Sequence, residues 1–282
     1  MPNANEWQNE FLRHLEHKNI TDAIACLDLF KTNHAGTPPQ KIKDRAIKLI
    51  HKKYRDQPER LYEYALAFAN SSNDGAKEIG VYLLPEFYAR NSEEIDEIVA
   101  CLGDDDNWEV REWAAGALAY IISGSFSRIF PKLAQWVQDP SANIRRMTAV
   151  AIGFATRDCT SEQCQQLLPL LTPLMADTDK YVSKNMGAYA VSNCALKHQP
   201  ALVETWLRTI DDANEHAAWN LAMVLTTAEA AKQFVHIQFL LPSLLADERP
   251  KVKRAVQKGV KNLAKRIPTQ FAQFEMKAGI SV

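Results

Sequence analysis

An indole and a carboxyl group stand four residues apart near the middle of the sequence, at Trp108 and Glu112. Positions four apart share one face of an α-helix, so the two side chains would lie side by side if this segment is helical. An aromatic face attracts cations, and a fixed carboxylate stabilises positive charge that develops beside it. The pair could therefore hold a cationic base and stabilise a sugar cation. The structural alternative is that Trp108 packs between helical repeats and Glu112 pairs with an arginine.

Basic residues recur at comparable positions along much of the chain. They are Lys43, Lys77, Arg111, Arg145, Arg146, Lys184, Lys253 and Arg254. If stacked helices aligned them, they would form a stripe that follows nucleic-acid phosphates, which gives salt-dependent affinity without sequence preference. In the alternative interpretation, each basic residue pairs with an acidic capping residue of the neighbouring repeat. The spacing leaves both interpretations open.

The segments that carry these residues repeat with a period of about 35 residues, which indicates a repeat architecture. An aliphatic or small residue, usually with a basic neighbour, marks each copy. Four markers are read directly from the pattern and three follow from the period, and together they are Ile42, Ala76, Val110, Ile144, Val182, Ala217 and Val252. Seven markers at a nearly constant period predict seven similar structural units.

Each marker is expected near the start of the second helix of a helical hairpin. An Asp or Asn just before it can accept hydrogen bonds from the free N–H groups of the first turn. Apolar residues three, four and seven positions further on form a stripe, which in the third repeat runs from Val110 to Ala117. Small residues beside this stripe, namely Ala114, Ala115 and Gly116, are expected to let neighbouring helices approach closely.

The pattern predicts an all-α protein, a right-handed α-solenoid of about seven HEAT-like helical-hairpin repeats. We expect a single repeat domain over residues 1–282, with N-terminal capping helices over 1–34 and the repeats over 35–282. In such arrays the second helices line one face, so function is expected on the concave surface.

The composition is that of an ordinary globular protein, with 46% hydrophobic and 24% charged residues and a net charge of −1. This balance argues mildly against nucleic-acid binding over the whole surface, but it is compatible with a basic cleft. Five cysteines without a CxxC pair indicate reduced thiols. A polar N-terminal segment and the lack of a long apolar run predict neither a secretion signal nor a membrane span, and hence a cytoplasmic protein.

Familiar catalytic motifs do not occur in the sequence, which contains no P-loop, GxGxxG, HExxH or GxSxG. His14 and His17 would lie on one helical face, but no further metal ligands accompany them. We therefore expect no metal and no cofactor. A monomer is expected.

Three segments resemble the DNA alkylation-repair family of HEAT-like glycosylases, the AlkD/AlkC type. They are NWEVREWAAGALA at 107–119, LAQWVQDPSANIRRMTAVAIGF at 133–154 and YVSKNMGAYAVSNCALKHQPALVETWL at 181–207. The resemblance extends over roughly residues 78–214, about half of the chain. It implies binding of double-stranded DNA with alkylated purines in the concave groove. It also implies hydrolysis of the N-glycosidic bond of cationic N3- or N7-alkylated purines.

The resemblance assigns a role to several residues by position. Trp108 would contact the lesion nucleotide, Glu112 would stabilise the sugar cation and position water, and Arg146 would hold a phosphate. Further DNA contacts would come from Arg111, Arg145, Lys184 and Tyr189.

Two positions depart from the family pattern. The carboxylate of AlkD-type members is usually Asp, whereas here it is Glu112, a residue that the AlkC branch tolerates better. The second aromatic position of the groove falls on Ala188, and the adjacent Tyr189 would point about 100° away on an ideal helix. These departures leave two alternatives open, a non-catalytic paralogue that binds branched or distorted DNA and a HEAT-like scaffold for protein interactions.

Overall fold

The computed structural model describes residues 6–279, and within that range it contains helices and connecting segments without a β-strand. Its helices divide between two compact units, of which one ends at Arg128 and the other begins at Ile129. Within the described range, no helix is both long enough and apolar enough to cross a membrane.

Seven α-helices lie in residues 6–128, the described part of the first unit. They are α1 (Glu6–Glu16), α2 (Ile20–Asp28), α3 (Gln40–Tyr54), α4 (Pro58–Ala69), α5 (Asp74–Leu83), α6 (Ser92–Gly103) and α7 (Trp108–Gly124). A short 3₁₀-helix, Leu84–Phe87, follows α5. Helices α3, α5 and α7 form one layer, in which α5 packs against both of the others. Helix α4 packs against α5, and α6 packs against α7, as the first and second helices of successive hairpins.

The second unit begins within α8 and continues the hairpin pattern. Its helices are α8 (Phe126–Trp136), α9 (Ala142–Ala155), α10 (Ser161–Leu170), α11 (Thr172–Met175), α12 (Lys180–Asn185), a π-helix (Met186–Leu196), α13 (Pro200–Leu207), α14 (Glu215–Val224), α15 (Ala228–Lys232), α16 (Phe234–Ile237), a 3₁₀-helix (Gln238–Leu240), α17 (Leu241–Ala246), α18 (Pro250–Arg266) and α19 (Pro268–Ala278). The second helices stack in the order α9, π-helix, α14 and α18.

The markers found in the sequence occupy the starts of second helices, as predicted. Six of them are buried and Ile42 is half-buried. Five second helices begin with a side-chain cap that accepts a backbone N–H, from Asn73, Ser141, Asp179, Asn214 and, in α7, Asn107. Helix α18 instead begins with Pro250 at its first position, where the missing N–H costs little. The all-α hairpin architecture is therefore confirmed.

Several glycines mark places where helix backbones touch. A Cβ added at Gly80 would lie 2.1 Å from the backbone nitrogen of Ala69, and one at Gly187 would lie 2.1 Å from the carbonyl oxygen of Asn220. No side chain fits at such distances, so these glycines allow α4 to approach α5 and α14 to approach the π-helix. Gly116 differs, because a Cβ there would meet no atom of residues 6–279 within 4 Å, apart from its own helix and chain neighbours. The expectation that Gly116 serves close helix packing was wrong.

Candidate functional site

Trp108 and Glu112 lie in the first two turns of α7. The side chain of Asn107 caps this helix by accepting the backbone N–H of Glu109 at 3.0 Å. Trp108 is 45% exposed, and Glu112 is half-buried. Because the two residues are one turn apart on one helix, the indole and the carboxyl group occupy neighbouring positions on its surface. Trp108 is thus not sealed between helices.

The loop between α2 and α3, residues 29–39, contacts the start of α7. The rings of His34 and Trp108 meet edge to face, with centroids 5.0 Å apart and planes at 78°. Asn107 Nδ2 donates to the carbonyl oxygen of Ala35 at 2.9 Å, and Thr37 Oγ1 donates to Glu109 Oε2 at 2.8 Å. Nothing in the sequence pattern indicates that this loop, about 70 residues upstream, reaches the candidate site.

Two consecutive left-handed residues shape this loop, Ala35 with φ 61° and Gly36 with φ 71°. Left-handed backbone costs an alanine about 1 kcal/mol, so surrounding contacts must hold it. The backbone N–H of Thr32 donates to the Thr37 carbonyl at 3.1 Å, and the Ala35 carbonyl accepts from Asn107. These hydrogen bonds fix the loop so that it presents His34 to the Trp108 ring.

A buried lysine lies where α3, α5 and α7 meet. The ammonium group of Lys43 pairs with Glu78, with Glu109 Oε1 at 2.8 Å, and lies 4.9 Å from the centroid of the Trp113 ring. Lys43 and Glu78 are fully buried. The suggestion that Lys43 belongs to an exposed basic stripe was therefore wrong, because carboxylates of the next two second helices enclose its charge.

The Glu78 carboxyl group is the most perturbed acid in this cluster. Burial raises its pKa to about 7, and this effect outweighs the opposing influence of the Lys43 ammonium group. The nearby Glu109 carboxylate raises the pKa further. Within the described part of the chain, Glu78 Oε1 accepts no hydrogen bond. The charge of the cluster therefore changes near neutral pH.

Other basic residues join the loops of successive repeats. Lys77 Nζ contacts Asp105 Oδ2 at 2.7 Å, and Arg145 Nε donates to Asp177 Oδ2 at 2.7 Å. Arg111 Nη1 donates to the backbone carbonyl of Asp105. The contacts of Lys77 and Arg145 are those of the alternative interpretation, in which the basic residue binds an acid at the start of the next repeat.

Arg146 and Lys184 have different environments in the second unit. The Arg146 residue is 5% exposed, its guanidinium carbon lies 5.4 Å from the centroid of the Tyr181 ring, and its Nη2 donates to Asn185 Oδ1 at 3.2 Å. Lys184 is exposed. Of the basic residues that the family resemblance assigns to DNA in this unit, Lys184 presents its charge most openly to solvent.

The π-helix changes the register of Tyr189. A π-helix closes its hydrogen bonds five residues apart instead of four, so each turn holds about one extra residue. Each residue after Met186 therefore turns by a smaller angle than in an α-helix. By position 189 the accumulated difference places Tyr189 between the directions that Ala188 and Tyr189 would have in an α-helix. The Tyr189 ring is half-buried and contacts Phe154 edge to face at 5.9 Å.

Three aromatic side chains contact one another on α5 and α7, and we call them the aromatic ledge: the half-buried Tyr82 and Trp113 and the exposed Tyr120. The Tyr82 ring lies 5.6 Å from Trp113 and 5.5 Å from Tyr120, in both cases edge to face. The Tyr82 hydroxyl donates to the Tyr120 hydroxyl at 3.2 Å, and Tyr120 is 45% exposed. This group was not predicted from the sequence, because Tyr82 comes from the preceding repeat.

The residues assigned from the family resemblance divide between the two units. The first unit holds Trp108, Arg111 and Glu112, and the second holds Arg145, Arg146, Lys184 and Tyr189. Over residues 6–279, no group of three or more His, Cys, Asp or Glu side chains is arranged to bind a metal ion.

Burial raises the pKa of the Cys159 thiol to about 12 and that of Cys164 to about 11, so both remain thiols.

Comparison with known proteins identifies the class to which this fold belongs. The sequence profile of HEAT repeats matches residues 95–185. The protein is therefore an all-α chain of HEAT-like repeats. Its fold is similar to that of AlkD2 from Streptococcus mutans, with a TM-score of 0.54 and 16% sequence identity over 78% of this chain and 97% of that chain.

Artificial repeat proteins are also similar to this chain, at lower structural agreement. A computationally designed armadillo repeat protein for modular peptide recognition has a TM-score of 0.36 and 17% identity, covering 89% of this chain and 98% of the designed one. An engineered protein from the Northeast Structural Genomics Consortium has a TM-score of 0.31 and 20% identity, covering 73% of this chain and 97% of the other. No curated protein sequence matches the chain.

Proposed function

We propose that this protein is a DNA glycosylase that hydrolyses the N-glycosidic bond of cationic N3- or N7-alkylated purines in double-stranded DNA. The observation that carries the proposal is the exposed Trp108 beside the half-buried Glu112 on α7. The AlkD2-like fold around this pair adds support. Neither side chain alone indicates a reaction, but together they match the charges that develop in this hydrolysis.

The reaction needs little acid catalysis, because alkylation has already made the base a cationic leaving group. As the bond between C1′ and the purine nitrogen breaks, its electron pair moves to the base and neutralises it. Positive charge then develops on the sugar, where the Glu112 carboxylate stabilises it. Water adds to C1′, and its proton passes to Glu112 and then to solvent. The Trp108 indole contacts the lesion nucleotide and attracts its positive charge.

DNA phosphates are the proposed partners of the basic residues. Lys184 is exposed, so its ammonium group can bind a phosphate without first breaking a hydrogen bond or ion pair described for it. Arg111, Arg145 and Arg146 are proposed to bind phosphates from positions in which their guanidinium groups already hold protein atoms. The altered register of the π-helix supports Tyr189 as the aromatic residue nearest the second aromatic position of the family.

The test is the release of methylated purines from methylated duplex DNA by the purified protein, measured by chromatography. Glu112→Gln should reduce the rate of base release by about 100-fold or more, because the side chain loses its charge. DNA binding should be retained, because the side chain keeps its size. Glu97→Gln, at an exposed glutamate of α6, is the matched control and should leave release unchanged. A protein that releases neither N3- nor N7-alkylpurines contradicts the proposal.

The same assay separates the two alternatives. Salt-sensitive DNA binding without base release would select a non-catalytic DNA-binding paralogue. A salt-insensitive complex with another protein, together with no retention of DNA, would select an interaction scaffold.

A further inference from the structure

The charges of the buried ion cluster, which consists of Lys43, Glu78 and Glu109, do not balance. The Lys43 ammonium group contacts both carboxyl groups. The side chains of Lys43 and Glu78 are fully buried, and that of Glu109 is 17% exposed. Two carboxyl groups therefore share one ammonium group at a place that water barely reaches. Like charges that lie this close disfavour each other's ionisation, so one of the two carboxyl groups tends to bind a proton.

Glu78 is the member of the cluster that is suited to take the proton. Its Oε1 is buried and accepts no hydrogen bond from the described residues, whereas its Oε2 contacts Lys43. Glu109 uses both oxygens, because Oε1 accepts from Lys43 and Oε2 accepts from the Thr37 hydroxyl, each at 2.8 Å. Glu109 also lies in the first turn of α7, where the helix dipole favours a negative charge. The raised pKa of Glu78, about 7, agrees with this assignment.

Neighbouring groups do not offset the extra negative charge. Asp74, one turn before Glu78 on α5, adds to it and raises the pKa of Glu78. Helix α5 contains one lysine, Lys77, and its ammonium group pairs with Asp74 and Asp105. From other elements packed on α5, the described contacts bring Phe68 and Ala69 of α4 and Asp28 of α2, none of which is basic. The charge balance around Glu78 therefore depends on whether Glu78 itself is protonated.

The buried ion cluster is connected directly to the loop formed by residues 29–39. The Thr37 hydroxyl donates to Glu109 Oε2 at 2.8 Å and lies 3.4 Å from Lys43 Nζ. The Thr37 carbonyl accepts the backbone N–H of Thr32 at 3.1 Å, which closes the turn that contains His34. The His34 ring in turn contacts the Trp108 ring. Glu109 and Thr37 thus link the cluster to the loop that supports the exposed indole.

The two protonation states of Glu78 hold Glu109 differently. When Glu78 is neutral, the Lys43 charge is balanced by Glu109 alone, and Glu109 stays where it accepts the Thr37 hydroxyl. When Glu78 is ionised, the cluster contains a buried negative charge without a counter-ion, which is unfavourable. Glu109 can relieve it, because its side chain is already partly exposed and can turn towards water. That movement breaks the hydrogen bond from Thr37.

We propose that the buried ion cluster is a pH-sensitive clasp for the loop 29–39, in which a proton on Glu78 keeps Glu109 bound to Lys43 and Thr37. Loss of that proton frees Glu109 and loosens the hold of the loop on Trp108. The change is centred near pH 7, the pKa of Glu78. The clasp acts on the indole itself, so the inference goes beyond the proposed function and holds for any ligand that Trp108 contacts.

Hydrogen–deuterium exchange of the full chain at pH 6 and pH 8, corrected for the intrinsic exchange rate at each pH, measures the clasp. The protection factor of the peptide covering residues 29–39 should be about ten-fold higher at pH 6, the change expected when a hydrogen bond to a charged group is lost. Peptides of α6 are the internal reference, because global unfolding would change them as well. Equal loop protection at the two pH values would overturn the proposal, and so would a change no larger than that of α6.

Substitutions assign the pH response to Glu78. Glu78→Gln is neutral at both pH values, so its loop should be protected equally at pH 6 and pH 8, at the level of the wild type at pH 6. Glu59→Gln, at an exposed glutamate of α4, is the matched control and should keep the wild-type difference. Thermal melting of each variant checks that it folds. A wild-type pH response in Glu78→Gln would overturn the proposal, because another group, such as His34 in the loop itself, would then cause it.

Thr37→Val tests the link between the cluster and the loop without removing a titrating group. The side chain keeps its shape but loses the hydroxyl, so the loop should have the low protection of the wild type at pH 8 at both pH values. A ten-fold pH response in Thr37→Val would contradict the path through Glu109.

Acrylamide quenching of Trp108 fluorescence, obtained as the difference between the wild type and Trp108→Phe, tests the effect on the indole. Quenching should rise from pH 6 to pH 8 in the wild type and stay constant in the Glu78→Gln background. Constant quenching in the wild type would show that the loop does not hold Trp108, and the proposal would fail.

Discussion

His34 supports the indole of Trp108 from the side, with ring centroids 5.0 Å apart and ring planes at 78°. The contact joins the loop before α3 to the first residue of α7, and two hydrogen bonds from the same loop to the start of α7 accompany it. Edge-to-face pairs of this kind contribute about 0.5–1.5 kcal/mol. His34 therefore acts as a positioning residue for Trp108.

Removing the imidazole should impair substrate binding more than the chemical step. We expect His34→Ala to raise KM for release of methylated purines by roughly 2–10-fold, with kcat nearly unchanged, because the indole loses its lateral support. His34→Phe keeps an aromatic edge and should restore most of the loss. Steady-state kinetics on methylated duplex DNA measure both variants. A fall in kcat with unchanged KM would show that His34 acts on the reaction itself.

The repeat architecture could be predicted because its signals are local. A marker such as Val110 must be buried wherever a second helix packs on its neighbours, and a cap such as Asn107 must precede it to satisfy the first turn. The neighbouring placement of Trp108 and Glu112 on α7 was predictable for the same reason, since a spacing of four residues fixes their common face within one helix.

Contacts between repeats could not be predicted from local sequence patterns. Lys43 has the same position relative to its marker as Arg111, yet Lys43 is buried because Glu78 and Glu109, 35 and 66 residues later, enclose it. Gly116 and Gly187 look alike in the sequence, but one faces open space and the other a carbonyl oxygen. Each difference depends on tertiary contacts with a segment that is distant in the sequence.

The buried ion cluster makes Lys43 a strong determinant of stability. Lys43→Met should lower the free energy of unfolding by about 3 kcal/mol at pH 8, because two carboxylates lose their shared counter-ion. The double variant Lys43→Met/Glu78→Leu should recover much of this loss. Urea unfolding followed by circular dichroism measures these changes, with Lys41→Met, at an exposed lysine of α3, as the control. A double variant less stable than Lys43→Met would contradict the prediction.

The raised pKa of Glu78 predicts how stability depends on pH. Between about pH 4.5 and 7 the folded protein holds the Glu78 proton more tightly than the unfolded chain. The free energy of unfolding therefore falls by up to roughly 3 kcal/mol as the pH rises through this interval. Above about pH 7 the contribution of Glu78 no longer changes with pH. Glu78→Gln should remove this contribution. Urea unfolding at pH 5, 6, 7 and 8 checks it, and an identical pH profile for wild type and Glu78→Gln would refute it.

Lys184 and Arg145 should differ in how much they contribute to stability, because Arg145 has contacts within the protein. Lys184→Ala should leave the free energy of unfolding unchanged, because the Lys184 side chain is exposed. It should reduce the slope of log DNA affinity against log salt concentration by about the value of one phosphate contact. Arg145→Ala should instead cost about 1–2 kcal/mol of stability, because Arg145 holds Asp177 and the carbonyl of Asp139. Affinities over a range of salt concentrations and urea unfolding give both quantities. Equal salt slopes for wild type and Lys184→Ala would remove Lys184 from the DNA contacts.

The two helical glycines Gly187 and Gly116 should respond oppositely to the same substitution. In Gly187→Ala the new methyl group would lie 2.1 Å from the Asn220 carbonyl oxygen, so α14 must move away from the π-helix and the Gly187 N–H to Asn220 Oδ1 hydrogen bond weakens. We expect a loss of about 1–3 kcal/mol, as for overpacking in a tight core. Gly116→Ala meets open space and should gain about 0.5–1 kcal/mol, the ordinary preference of a helix for alanine. Urea unfolding of the two variants measures both changes, and destabilisation by Gly116→Ala would mean that the surface of α7 is covered at that point.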